Sequence, residues 1–104
     1  MELANISESY LLSLTQEQNN LYIELIALDS NGVKIKVFAN NKDTSAISVS
    51  YIGLSLNSSF TTVDGIPTLG EIESVAITNF GFTLEGDMGI IKVTADNWLV
   101  EKAL

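Results

Sequence analysis

The stretch NNLYIELIALDSNGVKIKVFANN, Asn19 to Asn41, decides the fold class. Two runs in which apolar residues recur at every second position flank a DSNG turn, Asp29 to Gly32, and that period marks strands with one face buried. The turn suits a three-residue hairpin loop with Gly32 in the left-handed position of a bulge. Pairing Asp29 with Val33 sets Ala27 opposite Ile35, Leu25 opposite Val37 and Ile23 opposite Ala39, a wholly apolar face that belongs in a core. The reverse face pairs Leu28 with Lys34, Ile26 with Lys36 and Glu24 with Phe38, with Tyr22 nearby. A slip of one residue would bury the lysines, so the register is well specified.

A second hairpin follows in FGFTLEGDMGIIKVTADNW, Phe80 to Trp98, if Gly86 to Gly89 forms its loop and Glu85 faces Ile90. Leu84 then meets Ile91, Phe82 meets Val93 and Phe80 meets Ala95 on an apolar face, with Thr83 beside Lys92 and Gly81 beside Thr94 on the other. Between the hairpins, AISVSYIGLSLN alternates on Ile47, Val49 and Tyr51 and then changes parity to Ile52, Leu54 and Leu56, which predicts a bulge or bend at Tyr51 to Gly53. ESYLLSL (8–14) and EIESVAIT (71–78) read as further strands, and NSSFTTVDGIPTLG as a loop rich in turn formers. Two helix-start signals compete with this pattern: TLGE, Thr68 to Glu71, has capping-box spacing, and DNWLVEKAL opens on a possible N-cap at Asp96. The expected fold is therefore all-β, an antiparallel sandwich or small barrel of about seven strands in one domain spanning residues 1–104, with a short terminal helix as an alternative for the last segment.

Composition narrows the chemistry. The 104 residues carry thirteen Asp and Glu against five Lys and no Arg, a net charge of −8, with no His and no Cys. Nucleic-acid binding rests on Lys and Arg neutralising phosphates, so this balance disfavours it, and it disfavours anionic membrane surfaces likewise. Without His or Cys, neither a Ser-His-Asp nor a Cys-His catalytic arrangement is available, and zinc and copper lose their usual ligands. No catalytic activity and no cofactor are expected. The N-terminal MELANISES lacks the basic and apolar segments of a signal peptide, and the apolar runs are too short to span a bilayer, so the expected location is cytoplasmic.

Three uses of the surface remain. DSNG resembles the start of an EF-hand loop, but no Glu closes it, while Glu85 and Asp87 with Asp96 are a candidate loop-based calcium site, weighed against plain turn geometry. Trp98, Tyr22, Tyr51 and Phe38 are candidates for stacking on sugar rings, against the reading that each is core or half-buried cover and that Trp98 packs over the sheet edge. The mixed face of Tyr22, Ile26, Leu28 and Phe38 is a candidate homodimer surface. The reading preferred over these is electrostatic: Glu71, Glu73, Glu85, Asp87 and Asp96, with Trp98 as an apolar anchor, form a partner-binding region for a basic protein if the last strands are neighbours.

In length, acidity, strand order and the closing pattern GFTLEGDMGIIKVTADNW, the chain resembles the small immunity proteins with which bacteria neutralise a cognate toxin domain. The resemblance is spread over the whole chain and carries no residue roles. It implies a cytoplasmic inhibitor of one toxin, often a basic nuclease. Phage-encoded inhibitors of bacterial defence proteins share the same profile.

Overall fold

A computed structural model describes residues 2–27, 33–53, 61–63 and 66–103. A 3-10 turn at Leu3–Ile6 precedes β1 (Ser9–Glu17), β2 (Asn20–Ala27), β3 (Val33–Asn40) and β4 (Ser48–Ile52). These are followed by β5 (Thr61–Val63), β6 (Ile66–Thr68), β7 (Gly70–Thr78), β8 (Gly81–Gly86), β9 (Gly89–Thr94) and β10 (Asn97–Ala103). The last segment is thus a strand, not a helix, because Trp98 and Val100 alternate inward against exposed Leu99 and Glu101, a period of two that a helical face cannot use. The TLGE segment is likewise extended, Thr68 ending β6 and Gly70 opening β7.

Eight strands form one antiparallel sheet in the order β10-β3-β2-β1-β7-β8-β9-β4, and β5 and β6 form a small hairpin of their own. The main sheet is bent into two halves at the β1–β7 junction, where pairing is confined to Tyr10 with Glu71 and Leu11 with Gly70. Both strands are bulged beside this joint, between Leu11 and Ser13 in β1 and between Ile72 and Ser74 in β7. A bulge sharpens twist and turns a strand, so two at one joint fold the sheet over itself without closing it into a barrel. The inner faces of the halves then share one core. Leu21, Ile23, Leu25, Ile35 and Val37 from the first meet Phe82, Leu84, Ile91 and Val93 from the second, and Leu3 and Ile6 fill the side.

The first hairpin keeps its predicted faces but not its predicted register. Ala27 pairs with Val33, Leu25 with Ile35, Ile23 with Val37 and Leu21 with Ala39, two positions from the expected alignment. A shift of two preserves which side chains point inward, so burial alone does not exclude it. The outer face decides the outcome: the observed register sets Glu24 beside Lys36 and Tyr22 beside Phe38, whose rings meet edge to face at 5.5 Å. The DSNG turn, with Leu28 and Gly32, lies outside the described residues. The second hairpin has the expected register throughout, from Gly86 with Gly89 to Gly81 with Thr94. Phe80 departs from expectation: it lies in the turn between Thr78 and Gly81 and is 75% exposed. The β4 strand ends at Ile52, and Gly53 with φ +66° turns the chain where the parity change was predicted.

Candidate functional site

Four of the candidate carboxylates lie where the β8–β9 hairpin tip reaches the β1–β7 junction. Glu71 is the cross-strand neighbour of Tyr10, and its backbone N–H donates to Asp87 Oδ1 at 3.0 Å. Asp87 thereby ties the hairpin turn to the start of β7. The tie requires close approach, because a Cβ on Gly86 would lie 1.8 Å from the carbonyl oxygen of Glu71. Met88, next to exposed Asp87, is fully buried and anchors the turn from below. Glu85 pairs with Ser74 across the sheet and is exposed, as is Glu73 at the β7 bulge. Four of the predicted residues, Glu71, Glu73, Glu85 and Asp87, therefore share one end of the molecule.

Two further residues belong to this surface. Glu8, exposed and with φ 70°, donates its backbone N–H to the Ile72 carbonyl at 2.7 Å, which places it beside Glu71 and Glu73. Tyr10 has a phenol held above its ordinary pKa, first by burial and then by the carboxylates of Glu71 and Asp87. Neither was legible beforehand, since both depend on β1 pairing with β7, a contact between distant segments that no local pattern announces.

Asp96 and Trp98 are not part of this group. Asp96 follows the far end of β9, opposite the Gly86–Gly89 tip. Its Oδ1 accepts the Lys42 N–H at 2.7 Å, and its own N–H donates to Asn41 Oδ1 at 3.0 Å, so it fastens the β9–β10 link to the β3–β4 link. The Asn41 amide in turn donates to the Ser45 hydroxyl and the Ala46 carbonyl, both at 3.1 Å. Trp98 points inward and meets Phe82 edge to face at 5.4 Å, which makes it half-buried core. The five acids do not converge because strands that are neighbours in sequence alternate in direction and send Asp87 and Asp96 to opposite ends.

The other predicted surfaces are also altered. Tyr22 and Phe38 lie on the outer face of the first half, Trp98 points to the inner face, and Tyr51 lies on β4 at the opposite sheet edge, so the four rings form no common platform. Ile26 is 1% exposed and so is not available to a second copy, and Leu28 is outside the described residues. Among the described residues no group of three or more His, Cys, Asp or Glu is placed to hold a metal ion. No helix among them is long and apolar enough to cross a membrane, which says nothing of crossing by strands. No protein-family model matches the chain, and no curated protein and no solved structure matches it.

Proposed function

We propose that the protein is a non-catalytic inhibitor of the immunity-protein kind, which works in the cytoplasm by covering a basic surface of one toxin domain, nuclease-like in charge. The observation that carries this reading is the grouping of Glu71, Glu73, Glu85 and Asp87 with Glu8 at one end of a chain of net charge −8. A concentrated field of one sign accelerates capture of an oppositely charged protein and fixes its orientation. The tip is pre-organised by the Asp87 to Glu71 hydrogen bond and by buried Met88, so little conformational freedom is lost on docking. Asp96 and Trp98 have structural work in this scheme and are left out of the contact.

The test is capture of a partner on the immobilised protein, followed by kinetics with the double variant Glu85→Lys, Asp87→Lys. A basic protein whose toxicity is relieved by co-expression of this chain is expected. Its association with the variant should be slower by about tenfold or more at low salt, with a shallower salt dependence. Unchanged association kinetics, or a captured protein that is not toxic, would refute the reading.

A further inference from the structure

The sheet is open along a seam. On one side β10 pairs with β3 alone among the described residues, which leaves the outer row of N–H and C=O groups of Asn97–Ala103 without a strand partner among them. On the other, among the described residues β7 pairs with β1 only through Gly70 and Glu71; the Ile72 carbonyl accepts the Glu8 N–H, the Leu3–Ile6 turn packs beside the strand, and no further strand lies along its edge away from β8. A cleft of about 270 Å³ lies between the two edges, lined by Ile77 from β7, Trp98, Leu99 and Val100 from β10, and Glu2 and Leu3 below.

Ile77 shows what the seam lacks. It is the cross-strand partner of Phe82 and shares the inner face with Val75, so its position is a core position. Phe82 is 1% exposed, yet Ile77 is 57% exposed. The uncovered side is the one toward β10, across the cleft from Trp98 and Val100. Following the antiparallel pairings from β10 through β3, β2 and β1, β7 runs in the same sense as β10. One strand of opposite sense would therefore be antiparallel to both edges at once.

We propose that this seam takes up an extended, lysine- or arginine-bearing peptide segment as an added strand between β7 and β10, covering Ile77. The charge of the surroundings selects the occupant: Glu2 is the one charged residue lining the cleft, Glu73 lies on β7, Glu101 on β10 is matched across the strand pair by Lys36, Lys102 is the one cation on the two edges, and the chain as a whole carries −8. A second copy, itself at −8, is disfavoured by the same field. Main-chain hydrogen bonds on both sides supply affinity, and alternate side chains entering the cleft supply selection. This surface adjoins the acid-rich tip at Glu73 but is carried by Ile77 and the two strand edges, and it does not rest on the toxin reading.

The probe is a synthetic peptide about ten residues long alternating valine and lysine, with a glutamate counterpart and two versions N-methylated on either alternate set of amides. With the lysine peptide, amides of Glu73–Thr78 and Asn97–Ala103 that are not bonded to β8 or β3 should exchange at least about tenfold more slowly. Each N-methylated version should bind at least about tenfold more weakly, because the strand is bonded on both sides, and the glutamate peptide should not bind. Ile77→Ser, a change at an exposed side chain with folding checked by thermal melt, should weaken binding several-fold. No protection along the two edges, protection elsewhere only, or equal binding by either N-methylated version would overturn the proposal. So would light scattering that shows a dimer in which β10 is already protected.

Discussion

Tyr10 sits where the fold and the acidic surface meet, and its phenol gives the molecule a dependence on alkaline pH. Burial and the nearby carboxylates of Glu71 and Asp87 raise its folded pKa above the ordinary 10.0 of an unfolded chain. In that window the unfolded state has released a proton that the folded state retains. The stability contributed by the neutral phenol is therefore complete below the unfolded value and is lost as pH rises through the folded one. Chemical denaturation at pH 9 to 12 should show this decline for the native protein and a flatter profile for Tyr10→Phe. At Gly86 the constraint is steric, so Gly86→Ala must move either the hairpin or β7 and should cost roughly 2 kcal/mol or more by thermal unfolding. Gly53→Ala meets no atom within 4 Å and incurs only the left-handed backbone cost of about 1 kcal/mol. A reversed order of the two melting temperatures would contradict this assignment.

At the scale of strands and hairpins, legibility depended on how near the deciding contacts lie in sequence. The β8–β9 hairpin could be read residue by residue because two glycines bracket a tight turn and fix the register. The faces of β2 and β3 could be read for the same reason of periodicity, but not their alignment, since a shift of two changes only outer-face partners such as Tyr22 with Phe38. Phe80 counted as core only because alternation was carried past the end of the strand into a turn. The grouping of acids was half legible: Glu85 and Asp87 are local neighbours, whereas Glu8 and Tyr10 join them through a pairing of β1 with β7. Asp96 lies apart from the other acids because it clamps Lys42 and Asn41, far off in the chain. Asp96→Ala should lower stability by about 1 kcal/mol in denaturant titration, with partner association unchanged in rate. A variant of normal stability but slowed association would return Asp96 to the binding surface.

For the molecule as a whole, stability turns on the contact of the two half-sheets, since their inner faces cover one another. Phe82 and Trp98 lie on strands far apart in the sheet order and touch only because the sheet folds over at its bulged joint. Phe82→Ala should therefore cost about 3–5 kcal/mol, a large share of the stability of a domain this size, and thermal unfolding should remain a single transition because no half has a core of its own. Two separable transitions would mean that the halves fold independently.

The pairing of β10 with β3 also has a consequence for biosynthesis. Asn40 and its partner Asn97 are 57 residues apart. At a translation speed of roughly 5–20 residues per second, β3 waits about three to eleven seconds for the strand that will cover its edge. During that interval the nascent chain presents Lys34 and Lys36 on the strand whose edge is uncovered. Positive charge on an uncovered edge discourages chains on neighbouring ribosomes from joining there, so the two lysines serve as guards against co-translational aggregation.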